Sequence, residues 1–197
     1  EDSHDHDEDS HDHEDESHGE QDEHVWTSPK NAMRIVQKLC DALCRLDPEN
    51  ADDYQANTAS YLASLTSLDE EFSDVTANAS RHTIVFGDRF PFRYLVDDYG
   101  LRYYAAFVGC SAETEAGFET ISFLAKRVDE WKLPCVLTIE GAQHKIAETI
   151  VRNTTAKNQR VLTMDSMQST TSKDVKNGTT YLSVMEKNLS VLKEALR

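Results

Sequence analysis

Histidines and carboxylates alternate at the start of the chain. Residues 1–23 contain 13 Asp or Glu and no Lys or Arg, and their histidines are His4, His6, His11, His13 and His18. Imidazole nitrogen and carboxylate oxygen are ligands that a borderline cation such as Zn²⁺ takes in proteins. The pattern predicts a labile zinc-binding segment, with an inert acidic linker as the alternative. Since the segment has no aliphatic or aromatic side chain, we expect it to be disordered.

Carboxylates also follow the predicted strands. Asp88, Glu140 and Asp165 come within two residues of the ends of short apolar runs, and Glu113 lies slightly further beyond another. The carboxyl ends of parallel strands share one edge of a sheet, where ligands bind. Clustered carboxylates repel one another unless a cation neutralises them or one holds a proton. We therefore expect a cation site at this edge.

The order of elements predicts the fold that positions these carboxylates. Apolar or β-branched runs at 83–86, 103–107, 135–139 and 161–163 alternate with helical patterns at 92–99, 115–131, 143–153 and 181–196. Alternation of this kind favours an α/β fold with a parallel four-stranded sheet flanked by helices.

Two helices precede the first predicted strand. Ser28 and Pro29 form a helix start, and Asp47 with Pro48 ends that helix and begins another that runs to about residue 78. About 30 residues give a rod of roughly 45 Å, longer than a small domain needs internally. We interpret it as a linker between two lobes; a coiled coil is the second choice.

This interpretation divides the chain into four parts. Residues 1–23 form the His-rich segment and 24–47 the end of an N-terminal lobe. Residues 48–80 form the long linker helix, and 81–197 form a C-terminal α/β lobe.

Composition excludes several classes of protein. The net charge is -16, but beyond residue 23 the chain holds 23 acidic and 20 basic side chains. No basic cluster suits a nucleic acid, and no apolar run approaches the roughly 20 residues of a membrane span. The chain begins with Glu and has no secretory signal, so we expect a fragment whose signal or lipid anchor would lie upstream.

Cys40 and Cys44, four apart on a helix, are poorly placed for a disulfide, and we expect the cysteines to be buried thiols.

Enzymatic motifs are absent from the sequence. It contains no P-loop, no G-x-S-x-G elbow and no H-E-x-x-H, and no nucleophile has an oriented partner. We expect a binding protein rather than an enzyme, with a hydrolase using Asp88 and Asp165 as a remote alternative.

Residues 22–32 (DEHVWTSPKNA) resemble the D-P-H-V/I-W-x-S/D-P motif of the zinc- and manganese-specific solute-binding proteins of ABC transporters. The resemblance continues through 92–101, 163–166 and the closing Y-L-x-x-M-x-x-N-L of 181–189. It implies two α/β lobes joined by a long helix, with the metal held between them, although most of the first lobe and its His ligand are missing. The implied function is extracytoplasmic capture of zinc for an ABC permease. A manganese receptor and a surface adhesin of the same fold are the alternatives.

The resemblance also implies a ligand set. His24 matches the second family ligand and Asp165 the fourth. The third family position carries Arg89, whose guanidinium cannot ligate a cation, so we take Asp88 as its substitute. Glu140 is an alternate ligand or a partner that orients one, and water is a further possibility. His82 and His144 are interpreted as structural or surface residues. We expect zinc affinity to fall below about pH 6, where imidazoles protonate.

Overall fold

Four parallel strands form the sheet of this protein. The computed structural model describes residues 22–107, 115–141 and 143–197. The strands, β1 (Thr83–Phe86), β2 (Arg102–Ala105), β3 (Cys135–Ile139) and β4 (Arg160–Met164), lie in the order β2-β1-β3-β4. Every residue of the two central strands is buried. The predicted α/β class and parallel four-stranded sheet are confirmed.

Helices cover both faces of the sheet. The described residues form α1 (Pro29–Leu46), α2 (Ala51–Ala77), α3 (Arg93–Asp98), α4 (Phe118–Glu130), α5 (Lys145–Asn153), α6 (Ser172–Lys176) and α7 (Tyr181–Ala195). One core holds side chains of α2, α3 and α7 against one face of the sheet, and a second holds α4 and α5 against the other. The three layers leave the carboxyl edge of the sheet for the loops that follow the strands.

The long helix α2 changes its surroundings along its length. Its buried residues are Leu65, Leu68, Phe72 and Thr76, all in the second half, where Phe72 stacks on Tyr99 with ring centroids 5.2 Å apart. The first half packs against α1. The 27 residues give a rod of about 40 Å. Its second half packs against the sheet and the helices beside the sheet. The division into lobes stays a prediction.

The start of α1 follows the predicted signal. The Ser28 hydroxyl accepts a hydrogen bond from the backbone N–H of Asn31 at 3.0 Å, and Pro29 is the first helical residue. The same hydroxyl donates to Asp98 at the end of α3. The N-cap residue of α1 therefore also links this helix to α3.

The element bounds differ from prediction in several places. The predicted second helix begins later, because residues 48–50 form a separate 3-10 turn after Asp47. The predicted helices at 115 and 143 begin at Phe118 and Lys145. The short helix α6, capped by Thr171, was not predicted. Its five residues are too few for an apolar period to appear.

Within the part of the chain that the structure describes, no helix combines the length and the apolar character of a membrane span.

Candidate metal centre

A loop from outside the sheet lies against its carboxyl edge. We call residues 22–28 the histidine loop. The indole Nε1–H of Trp26 donates to the backbone oxygen of Ser166, just beyond β4, at 2.9 Å. The hydroxyl of Tyr181 on α7 donates to the backbone oxygen of Trp26 at 2.9 Å. These two bonds hold the histidine loop beside the exit of β4, across more than 130 residues of sequence.

His24 is buried in this loop, and its ring is oriented by a carboxylate. Its side chain is 2% exposed, and its Nδ1 lies 2.6 Å from Oδ1 of Asp22. The same oxygen accepts the backbone N–H of His24 at 2.9 Å, and the Tyr94 hydroxyl holds the backbone oxygen of Asp22 at 2.8 Å. Since a carboxylate accepts, Nδ1 is the donor, and the neutral ring then presents its lone pair at Nε2. A carboxylate on the other ring nitrogen is the usual partner of a metal-binding histidine.

Gln168 contacts His24 at Nε2. It follows Asp165 by three residues in the same exit loop of β4. Its amide can donate to an imidazole lone pair or, when turned, offer its oxygen to a cation. The sequence analysis missed this residue, because an isolated uncharged Gln in a loop carries no metal-binding signal.

The side chain of Asn188 holds the backbone of Asp165, and the Asp165 side chain is partly buried. Its N–H donates to Oδ1 of Asn188, and its carbonyl accepts from Nδ2 of the same side chain, both at 2.8 Å. The backbone N–H of Met167 donates to Oδ1 of Asp165 at 2.7 Å. Burial raises the pKa of Asp165 above its ordinary value, and the charge of Glu140 acts in the same direction. This carboxylate therefore holds its proton more tightly than an exposed aspartate does.

Glu140, at the exit of β3, fastens the exit loop of β4. Its Oε2 accepts the N–H of Ser166 at 2.7 Å, and its Oε1 accepts the hydroxyl of Ser166 at 2.6 Å and the N–H of Gln168 at 3.2 Å. Both oxygens are thus engaged with the loop that carries Asp165. The role of Glu140, as an alternate ligand or as a partner that orients one, stays a prediction.

Asp88 lies at the exit of β1, on the same edge as Asp165 but two strands away. Its Oδ2 accepts the hydroxyl of the fully buried Thr138 at 2.7 Å, and its Oδ1 accepts the N–H of Arg89 at 2.8 Å. The Thr138 oxygen also lies 3.2 Å from Nδ1 of His144. A cavity of about 280 Å³ borders both Asp88 and Glu140. Asp88, Glu140 and Asp165 therefore share one edge, whereas the predicted Glu113 lies outside the described residues.

The predicted ligands do not form a closed cluster. Among the described residues, no group of three or more His, Cys, Asp or Glu is placed to surround a metal ion. Gln168 occupies the Nε2 side of His24, while Asp88 is bonded to Thr138. The structure thus brings the β4 exit loop to His24. The tail histidines, His4, His6, His11, His13 and His18, lie outside the described residues.

Known proteins match almost the whole chain. The family described as zinc-uptake complex component A, periplasmic (ZnuA), matches residues 1–195. The zinc-binding lipoprotein AdcA of Streptococcus pneumoniae is 32% identical over 171 residues, which are 87% of this chain and 33% of the relative. The high-affinity zinc uptake system protein ZnuA of Bacillus subtilis is 26% identical over 173 residues, or 88% and 53% of the two chains. The chain thus spans about a third and about half of these relatives.

A solved structure shares the fold. The Zn(II)-bound ZnuA-like domain of Streptococcus pneumoniae AdcA superposes with a TM-score of 0.73 at 30% identity, covering 91% of this chain and 66% of that one. The family match extends from the His-rich segment to the last helix, as the resemblance of the histidine loop and the closing motif implied. The chain belongs to the ZnuA family of periplasmic zinc-uptake components.

Proposed function

We propose that this chain is the zinc-binding part of a receptor that captures Zn²⁺ outside the cytoplasm and delivers it to an ABC permease. The observation that carries the proposal is the buried His24, whose Nδ1 is held by Asp22 and whose Nε2 faces the exit loop of β4. The names of the pneumococcal and Bacillus relatives, one a zinc-binding lipoprotein and the other a zinc uptake protein, support zinc as the cargo. Binding and release, without catalysis, are the proposed activity.

In the proposed site, His24 supplies Nε2 and Asp165 supplies a carboxylate oxygen. Because Asp22 accepts from Nδ1, the neutral imidazole presents Nε2 to the metal. Asp88 is the proposed third ligand, reached by turning away from Thr138, and Gln168 either swings off Nε2 or contributes its amide oxygen. A mixed nitrogen and oxygen set of four ligands at about 2.0–2.2 Å suits Zn²⁺.

Asp22 and Glu140 are proposed as the residues that orient the ligands. Asp22 fixes the ring of His24, and Glu140 fixes the loop that carries Asp165 and Gln168. The His-rich segment, residues 1–23, is proposed to capture ions weakly before they reach this site. Manganese would favour more oxygen ligands than this site offers, so the imidazole argues for zinc.

Zinc titration by calorimetry against a competing chelator tests the site. The tail histidines are replaced by Gln in every variant, so that only the proposed centre is measured. We expect His24→Ala and Asp165→Ala to weaken zinc binding strongly and Asp88→Ala to weaken it less. The matched controls are His82→Ala, an exposed histidine at the amino end of β1, and Asp97→Ala, an exposed carboxylate on α3. Equal affinities for the His24 and His82 variants would refute the assignment.

Delivery is tested separately, with the full-length protein and its permease. We expect uptake of zinc by cells to require His24, since an empty receptor carries no cargo. A parallel titration with Mn²⁺ distinguishes the metals: binding of Mn²⁺ tighter than Zn²⁺ would assign the receptor to manganese. Normal uptake with His24→Ala would contradict delivery through this site.

A further inference from the structure

We propose that Cys40 and Cys44 form a second cation site, a two-thiolate chelate for a thiophilic d¹⁰ cation such as Cd²⁺, Cu⁺ or Zn²⁺. The pair lies in the groove between α1 and α2. The candidate metal centre, by contrast, lies at the carboxyl edge of the sheet and has only nitrogen and oxygen ligands. The proposal is independent of the proposed function, because no residue is shared between the two sites.

The two sulfur atoms are spaced for chelation. Residues four apart on a helix lie on one face, and here the Sγ atoms are 4.0 Å apart. A tetrahedral cation with metal–sulfur bonds of about 2.3 Å separates two sulfurs by about 3.8 Å. The thiols therefore need to move by only a few tenths of an ångström.

The same geometry opposes a disulfide. A disulfide requires the sulfurs to approach to about 2.05 Å with a dihedral angle near 90°, whereas the Cβ atoms of residues four apart on a helix point along parallel directions. Cys40 and Cys44 are both free in the structure. Because the helix geometry opposes a disulfide, metal binding suits the pair better than a dithiol–disulfide switch.

The groove around the thiols suits a cation. Cys40 is buried and Cys44 is half-buried, so the pair is sheltered yet reachable from solvent. The carboxylate of Asp41 borders the groove and is held by the Nε2 of Gln37 at 3.0 Å. The groove encloses about 510 Å³, enough for an ion with its remaining water ligands, and its other lining residues are Gln55, Thr58, Ala59 and Leu62. The negative charge of Asp41 favours a cation and opposes an anion.

Binding of a divalent cation to the two thiols releases two protons. Each Cd²⁺ or Zn²⁺ displaces the two thiol protons to the buffer and takes two thiolates in their place, with water completing the coordination. No electron is transferred, so the step needs no oxidant or reductant.

Cadmium titration of the full chain tests the proposal. The thiolate-to-cadmium charge-transfer band in the ultraviolet reports sulfur ligation alone and is blind to the nitrogen and oxygen site. We expect the band to saturate at a single equivalent of Cd²⁺ and to be lost in both Cys40→Ser and Cys44→Ser. Cys135→Ser, Cys110→Ser and His24→Ala are the controls and should keep it. Absence of the band in the unmutated chain, or its persistence in both groove variants, would overturn the proposal.

A second measurement uses the unmutated chain, so it does not require the serine variants to fold. The ¹¹³Cd NMR resonance of the unmutated chain moves strongly downfield for each sulfur ligand. We expect a resonance at the position of two-sulfur coordination in addition to any from nitrogen and oxygen sites. A spectrum with resonances only in the nitrogen and oxygen region would contradict the chelate, whatever the serine variants do.

Discussion

The carboxylate of Asp22 should control how tightly His24 binds zinc. It accepts both the Nδ1–H of His24 at 2.6 Å and the backbone N–H of the same residue at 2.9 Å, and its side chain is only 10% exposed. Replacing it by Ala removes both bonds, so the ring is free to rotate and to place its proton on Nε2, where it blocks the metal. Loss of such an orienting partner costs about 10–100-fold in metal affinity, or about 1.4–2.7 kcal/mol.

Calorimetric zinc titration with a competing chelator measures this loss. Asp22→Ala should lie within the range of about 10–100-fold, and Asp22→Asn should lose less, because the amide oxygen still accepts from Nδ1. Asp97→Ala removes an exposed carboxylate that pairs with Arg93 at 3.9 Å, and it controls for the change in net charge. If Asp22→Ala binds zinc as tightly as Asp97→Ala, the orienting role is wrong. The ¹⁵N shifts of His24 should report a mixture of tautomers in Asp22→Ala only.

Two buried polar side chains should stabilise the sheet edge measurably. Thr138→Val keeps the shape of the side chain but removes the donor to Asp88, so urea unfolding should show a loss of about 1–3 kcal/mol, while the exposed Thr163→Val on β4 changes little. Asn188→Leu leaves both backbone groups of the residue after β4 without their partner and should cost about 2–4 kcal/mol, against a small effect for the exposed helical Asn57→Leu. Equal losses in either variant and its control would refute the corresponding role.

The central strands could be predicted from sequence, and the edge strands less well. The bounds of β1 and β3 match prediction at both ends, because strands buried on both faces appear as continuous apolar runs. Strand β2 lies at an edge and exposes Arg102 and Tyr103. Its first residue is fixed by pairing with Thr83, which a single sequence does not reveal, so the predicted run at 103–107 is displaced.

The candidate site was predictable only where chemistry and topology coincide. Asp88, Glu140 and Asp165 each follow a strand, so the rule for parallel sheets places them at one edge. Gln168, the partner of His24, and Thr138, the partner of Asp88, were not predictable in this way. Gln168 is 144 residues distant in sequence, and Thr138 gave no signal because a threonine within a strand is ordinary.

Protonation of Asp165 should oppose zinc binding over a defined interval of pH. Burial, reinforced by Glu140, raises its pKa above the ordinary value of 3.8, so the folded metal-free protein binds this proton more tightly than the unfolded chain does. The metal-free protein therefore loses this contribution to its stability as the pH rises from 3.8 through the raised pKa. Zinc requires the ionised carboxylate, so the stabilisation by zinc should grow over the same interval.

The melting temperature with and without zinc measures this interval, and Asp165→Asn isolates the contribution of Asp165. In the unmutated chain the shift should widen as the pH rises through the raised pKa of Asp165, whereas in Asp165→Asn it should be smaller and should lack this contribution. An unchanged slope in Asp165→Asn would mean that zinc does not displace this proton, and Asp165 would then have no place among the ligands. Asn188 holds the backbone of Asp165, and the amide oxygen of an asparagine at this position can still accept from the N–H of Met167. The substitution therefore removes the charge while it keeps these hydrogen bonds.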